Sequence, residues 1–337
     1  MSIRAYAALG ATDPLTRFDY EPGALRPDHV DIAVEHCGIC HSDLSVLRNE
    51  WRNARYPVVA GHEAVGRVVA VGSAVTSLQI GQRVGVSWFS NSCGDCRPCV
   101  AGDAHLCRKA EATILGRHGG FAERVQVGAR WAVPLPDALD HTSAGPLFCG
   151  GITVFSPLVE FGVKPTDRVG VLGIGGLGHL AVQFLNRWGC EVFAFTRRMD
   201  NAREIKALGA HHVISGDDRS SLAALAGTLD FLLVTLNVPQ DWNAWLSLLA
   251  AHGRMHVVGA VLEPMAIPAF SLLPGQKQVS GSPMGRPSTL ATMLDFAARH
   301  QIKPIVERYP MSRVNEALAH LESGKARFRV VLDNDFA

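Results

Sequence analysis

Cys40-His41-Ser42-Asp43 is answered a short way downstream by Gly61-His62-Glu63. Cysteine and histidine are two of the ligand types that a catalytic zinc takes, and such a site keeps one position open for water or substrate. Asp43 stands where it can accept the second ring N–H of His62, as metal-bound histidines normally require. Ser42 can pass a proton to or from an oxygen held at the metal. Taken singly, Cys40 reads as a buried thiol and His62 as a satisfied core histidine. At this spacing the two together read as a metal site.

A second set of ligand types follows as Cys93-x2-Cys96-x2-Cys99-x7-Cys107. Four thiolates in one short loop can close a tetrahedron around zinc with no open position. Four cysteines can equally hold an iron–sulfur cluster, and spacing alone leaves that choice open. Unbound thiols crowded this way would oxidise and cross-link, so a metal is expected. Cys37-Gly38-Ile39-Cys40 has the form of a redox pair. His62 gives Cys40 a role as ligand, which leaves Cys37 as a small buried hydrophobe. Half of the eight cysteines crowd into the one loop, and the start, Met1 to Tyr6, shows no apolar export segment. The expectation is thiolates in a reducing, cytoplasmic compartment rather than disulfides.

The third constellation is Gly173-Ile174-Gly175-Gly176-Leu177-Gly178. A buried-strand run, Arg168 to Leu172, enters it, and a helical stretch, His179 to Trp188, leaves it. A second strand follows from Glu191 to Phe195. In this frame the glycines carry meaning. Gly173 allows a tight turn, Gly175 lets the backbone approach a pyrophosphate at the helix N-terminus, and Gly178 lets the helix pack close to the sheet. Gly176 and Leu177 complete the loop. An NAD-binding unit carries an Asp or Glu near the end of the second strand for the ribose hydroxyls. Here the residues are Thr196-Arg197-Arg198. Two solvated arginines at a turn would explain the arginines but not the missing acid. Arg and Thr can bind a 2′-phosphate that a carboxylate would repel, so NADP(H) is expected.

The elements that must hold these groups divide the chain. Up to about Pro146 it reads as short strands and turns: Val30 to Glu35 alternates, and Gly66 to Gly72 and Gly81 to Val86 are glycine-punctuated runs. That texture suggests a small distorted β-barrel. From Arg168 strands and helices alternate: helix Ala202 to Leu208, strand His212 to Ile214, strand Leu229 to Val234, helix Trp242 to Leu249, strand Arg254 to Val258. Repeated βα units imply a doubly wound parallel sheet. Helices at Thr289 to Arg299 and Val314 to Leu321 and a strand at Phe328 to Leu332 are too few for a third domain, so the chain is expected to return to its first. The expected boundaries are residues 1–148 with 286–337, and 149–285. Hydrophobic content of 47% and charged content of 19% describe a core-forming chain. A net charge of +1 gives no case for nucleic acid or an anionic membrane, and no apolar run approaches the ~20 residues of a membrane span. His211 and His212 have no acid or thiol beside them in sequence and read as surface residues.

These residues resemble the zinc-containing medium-chain alcohol dehydrogenases over essentially the whole chain. The signature G-H-E-x2-G-x5-G-x2-V is complete as Gly61, His62, Glu63, Gly66, Gly72 and Val75. Cys40 to Leu44, Asn49-Glu50-Trp51, Leu147 to Thr153 and Gly324 to Leu332 look like the cinnamyl-alcohol-dehydrogenase-like branch, closest to bacterial NADPH-dependent aldehyde reductases of broad range. The resemblance implies a GroES-like barrel with a Rossmann domain. It implies a catalytic zinc held by Cys40, His62 and Cys149 with Glu63 behind it, and a structural zinc, hence two zinc ions per chain. It assigns His41, Thr153 and Arg329 to the cofactor, and Trp51 and Phe89 to a pocket for an apolar aldehyde. Reversible aldehyde reduction with NADPH is the implied activity, and a homodimer is expected. Many relatives carry a histidine at the position of Ser45, where it ends a proton relay to solvent; this chain does not. The stretch from Cys107 to Glu123 is shorter than in plant-type relatives. A non-catalytic NADPH-binding sensor would tolerate loss of a ligand or of Ser42, and a zinc-free quinone reductase would need neither cysteine set; all these residues are present.

Overall fold

The computed structural model describes residues 2–336. The chain forms two compact units. The first takes the chain to Cys149 and again from Arg286; the second is Gly150–Gly285.

The first unit is organised around the strand His29–Ile39, whose Val30, Ile32 and Val34 are buried in its core. This strand pairs antiparallel with Glu63–Val71, with Arg124–Gly128 and with Arg329–Asp333. The sheet runs Val306–Pro310, Arg329–Asp333, His29–Ile39, Glu63–Val71, Arg83–Val86, Ala132–Pro134, with Arg124–Gly128 joined to His29–Ile39. The pairing of His29–Ile39 with Glu63–Val71 shifts register between Asp31 and Ile32 and again between Val34 and His36. Such bulges bend a strand and increase its twist, which curls this sheet into a distorted barrel. Gly66 sits at one bend, where a Cβ would stand 1.9 Å from the carbonyl oxygen of Ala33. The C-terminal strand Arg329–Asp333 docks on residues 36–39, so the last part of the chain completes the sheet begun by the first.

The second unit carries a six-stranded parallel sheet in the order His212–Ser215, Glu191–Thr196, Arg168–Leu172, Leu229–Val234, Leu249–Val257, Gln278–Gly281. The helices Gly178–Trp188, Ala202–Ala207, Arg219–Ala224 and Trp242–Ser247 connect its strands. Phe193, Phe195, Trp242 and Trp245 pack one face. Three elements differ from expectation. Leu249 pairs with Leu229 at the start of a strand and does not end a helix. The edge strand Gln278–Gly281 is short and partly polar, which hides it from any periodicity. The helix Gly150–Glu160 contains Gly150, Gly151 and Pro157, all poor helix formers, and forms because nine of its residues are buried. His212 pairs with Glu191 of the neighbouring strand at 2.8 Å, an acid that is distant in sequence. Among the described residues no helix is long and apolar enough to cross a membrane.

Gly66→Ala should destabilise the protein by about 1–3 kcal/mol, because the obstructing atom is backbone and cannot turn aside. Gly216→Ala, whose Cβ would meet nothing nearer than 3.8 Å, should stay within about 0.5 kcal/mol. Denaturant unfolding of both variants checks this; equal midpoint shifts would remove the steric reason for Gly66.

Candidate active site

The strand His29–Ile39 delivers Cys40 as the N-cap of the helix His41–Leu47. Asp43 stands one turn into that helix and is fully buried. Its Oδ2 accepts from the backbone N–H of Cys40 at 2.9 Å. Its Oδ1 accepts from the backbone N–H of Gly61 at 2.8 Å and lies 2.9 Å from Nδ1 of His62. One carboxylate thus fixes the first cysteine, the turn before the histidine and the histidine ring. With Nδ1 donating to a carboxylate, the lone pair is left on Nε2, which is buried and has no hydrogen-bond partner.

A ring nitrogen of His62, Sγ of Cys40, Sγ of Cys149 and a carboxylate oxygen of Glu63 all lie within 4.8 Å of one another. The two sulfurs are 3.8 Å apart. Zinc at ~2.3 Å from each of two thiolates in a tetrahedron places them about 3.8 Å apart. The Cys149 thiol donates to Cys40 and holds the Cys40 pKa well below its ordinary value against the effect of burial; the same contact pushes Cys149 up. Two thiols this close share one proton unless a cation lies between them. The residues present therefore fit a tetrahedral dication with one open position. Glu63 is fully buried, its pKa raised by burial against the pull of Arg329. Its Oε1 accepts from Arg329 Nη2 and its Oε2 has no partner. Arg329, assigned by resemblance to a pyrophosphate, is itself buried in this ion pair. Ser42 is half-buried with Oγ 3.8 Å from Cys40 Sγ, and His41 is exposed.

The aromatic residues need a correction. Trp88 stands edge-on to the His62 ring at 5.1 Å, and Trp51 packs on Trp88 at 5.7 Å. Phe89 instead packs on Trp131 at 5.6 Å, among Cys93, Cys96, Cys99 and Cys107. Neighbours along an extended chain face opposite ways, so only one of Trp88 and Phe89 can reach the histidine. The resemblance named Trp51 and Phe89 and passed over Trp88.

The four cysteines of the second set form their own cluster, with Cys93–Cys99, Cys96–Cys107 and Cys93–Cys107 sulfur separations of 3.9, 3.7 and 3.5 Å. These bracket the ~3.8 Å of a single tetrahedral ion, whereas a multi-iron cluster would need the thiolates farther apart. The N–H of Lys109 donates to Cys107 Sγ at 3.3 Å, as a second-sphere partner does for a metal thiolate.

In the second unit Gly173 has φ +94° and turns the chain out of the strand Arg168–Leu172. A Cβ at Gly178 would stand 2.0 Å from the carbonyl oxygen of Gly173, while one at Gly175 would meet nothing within 4 Å. The loop is closed on its inner side and bare on its outer side, as backbone that cradles a phosphate must be. Leu172 pairs with Phe195, so Thr196 comes to lie beside the glycine turn. Thr196 Oγ1 accepts from the N–H of Arg198 at 3.1 Å, and Arg197 and Arg198 are exposed. Thr153 is buried on the helix Gly150–Glu160.

Residues 26–137 match the family described as the alcohol dehydrogenase GroES-like domain, and residues 176–299 match the zinc-binding dehydrogenase family. The chain is 52% identical over 98% of its length, and 99% of the relative's, to the aldehyde reductase AdhA of Synechocystis sp.. The solved structure of a cinnamyl alcohol dehydrogenase from Sorghum bicolor superposes with a TM-score of 0.96 at 34% identity, covering 100% of this chain and 99% of that one. A CAD from Helicobacter pylori complexed with NADP(H) gives a TM-score of 0.91 at 29% identity over 99% and 98% of the two chains.

Asp43→Asn keeps the shape of the hub and removes its charge. Metal affinity should fall about 10–100-fold. Competition with a graded chelator, read by metal analysis of native and variant protein, checks this; equal retention would show that Asp43 does not orient His62.

Proposed function

The chain belongs to the zinc-containing alcohol dehydrogenase family, in its cinnamyl-alcohol-dehydrogenase-like branch, and on that premise we propose that it reduces apolar aldehydes to primary alcohols with NADPH, reversibly. Support comes above all from the convergence of Cys40 Sγ, His62 Nε2 and Cys149 Sγ, two thiols and an unpartnered ring nitrogen aimed at one point. A zinc ion held by these three would act as a Lewis acid on the aldehyde carbonyl. NADPH would supply the hydride.

The chain's own residues orient, exclude and transfer. Asp43 holds the His62 ring so that its lone pair faces Cys40 and Cys149. Glu63 stands behind them, its charge matched by Arg329. The hydroxyl of Ser42 gives its proton to the oxygen of the reduced product. Trp51 and Trp88 offer an apolar wall beside His62, which suits an aliphatic or aromatic aldehyde better than a polyol. The bare backbone at Gly175, with Gly173, Gly176, Leu177 and Gly178 shaping the loop, takes the pyrophosphate; His41 and Arg329, whose Nε has no partner, are the cations assigned to it. Thr196, Arg197 and Arg198 take the 2′-phosphate. All eight cysteines are unbonded to one another, which suits the cytoplasm.

Elemental analysis should find about two zinc ions per chain, one in each cysteine set. Cys149→Ser should lose most turnover while its unfolding midpoint holds. Cys99→Ala should lower the midpoint, because a structural zinc contributes folding free energy directly. Iron, or a fully active Cys149→Ser enzyme, would refute the assignment.

Removing Arg197 or Arg198 should cost NADPH roughly 1.5–3 kcal/mol, on the order of tenfold to hundredfold in kcat/KM. Thr196→Asp should do more, since it repels the phosphate and offers NADH a ribose partner. The measurement is kcat/KM for both cofactors at fixed salt. A native preference for NADH, or an unchanged ratio in all three variants, would place phosphate recognition elsewhere.

A further inference from the structure

Among the described residues five other than glycine have positive φ, and four have a local reason. Gln276 and Gln301 end helical turns, and Asn49 follows the capping residue of the helix His41–Leu47, places where the left-handed conformation is usual. His252 lies where the strand Leu249–Val257 slips register against its neighbour. Arg52, at φ +57°, is none of these. There a Cβ crowds the following carbonyl, a cost that glycine is spared, and such outliers collect at functional sites. The loop around Arg52 is closed from within. Its N–H donates to the carbonyl of Asn49 at 3.0 Å, and the N–H of Ala54 donates to Oδ1 of the same asparagine at 3.1 Å. Trp51 packs on Trp88, two ring contacts from His62, while Arg52 and Arg55 are exposed. The other charges of residues 48–55 are engaged: Arg48 is paired with Glu322 at 2.6 Å, and Glu50 accepts from Ser45 at 2.7 Å. Among the described residues neither Arg52 nor Arg55 forms an ion pair or a side-chain hydrogen bond. Asp13, whose charge adds to burial in raising the pKa of Tyr56, pairs with neither. Two unpaired guanidiniums thus stand on the loop that carries the apolar wall.

We propose that Arg52, with Arg55, sets substrate choice: the two draw aldehydes whose far end is an anion, carboxylate or phosphate, with an apolar chain between the ends. This rests on the proposed aldehyde reduction and names its substrate class. The carbonyl end meets Cys40, His62 and Cys149, the apolar chain lies along Trp88 and Trp51, and the anion stays in water beside the arginines. The planar fork of a guanidinium matches both carboxylate and phosphate, each by two parallel hydrogen bonds. Because these partners remain hydrated, the gain is modest and falls on capture and KM, not on the rate of hydride transfer. An uncharged aldehyde meets the same wall and no such attraction. Glycine at position 52 would keep the wall and remove the strain, so what arginine adds there is its side chain.

The test uses the zinc enzyme with NADPH and three aldehydes of like chain length: 6-oxohexanoate, its methyl ester and 6-oxohexyl phosphate. At low salt the native enzyme should favour an anionic aldehyde over the ester about three- to tenfold in kcat/KM, through KM, and the preference should fade as salt is raised. The carboxylate and phosphate arms tell which anion is preferred. In Arg52→Gly the preference should drop about twofold or more while the unfolding midpoint holds or rises. Arg52→Gly combined with Arg55→Gln should abolish it, and Arg52→Lys should keep part of it. A native enzyme that favours neither anion, or a preference that survives the double substitution, would overturn the proposal. So would a loss confined to kcat or one that tracks a lowered midpoint, which would make Arg52 a fastening of the loop. Equal reduction of all three aldehydes would remove this proposal and leave the dehydrogenase reading standing. A native protein that reduces none of them would overturn the function itself, and this proposal with it.

Discussion

Everything at the metal site depends on one buried carboxylate. Asp43 has no exposure to solvent, and an unpaired carboxylate in that position would cost several kcal/mol. Its oxygens are met by the N–H of Cys40, the N–H of Gly61 and the ring of His62. These donors come from two segments: Cys40 just past the end of one strand, and Gly61 with His62 just before another. Remove the carboxylate, and the helix start, the turn and the ring each lose the partner that sets their direction. The sulfur of Cys40 and the nitrogen of His62 are brought together by a group that touches neither ligand atom.

The charges around that hub do not balance without a cation. Cys40, Cys149, Glu63 and Asp43 can each carry a negative charge within one buried region, and Arg329 supplies a permanent positive one. The contact between the two thiols holds the Cys40 pKa down and pushes that of Cys149 up. A dication takes both as thiolates, so metal affinity should be set by pH as much as by geometry. The second cysteine set is simpler. Its thiols close on one another in a loop with its own small cluster around Trp131.

Ligand type and spacing were legible in the sequence because they are properties of short segments. Cys40, Asp43 and His62 lie close in the chain, as do Cys93 to Cys107 and Gly173 to Gly178. Cys149 was legible only by resemblance, since nothing local marks it and its partner is more than a hundred residues away. Register was not legible. Trp88 and Phe89 are adjacent, equally aromatic and equally suited to a pocket, and tertiary packing sends Phe89 to Trp131 and Trp88 to His62. The Glu63–Arg329 pair was hidden for the same reason, as two ends of the chain meet there. The strand Gln278–Gly281 and the helix Gly150–Glu160 exist because of what they pack against, and local propensity argues against the helix.

The docking of Arg329–Asp333 on residues 36–39 has a consequence for how the molecule is made. A ribosome releases the chain from its N-terminus, and the whole of Gly150–Gly285 emerges before that strand does. Until then the strand His29–Ile39 has an unpaired edge over its last residues, and Glu63 has no arginine. The second unit, continuous in sequence, can fold as it appears; the first must wait until Arg329–Asp333 has been made. Loss of Arg329–Asp333 would therefore strike the strand His29–Ile39, where an open strand edge invites pairing with another nascent chain.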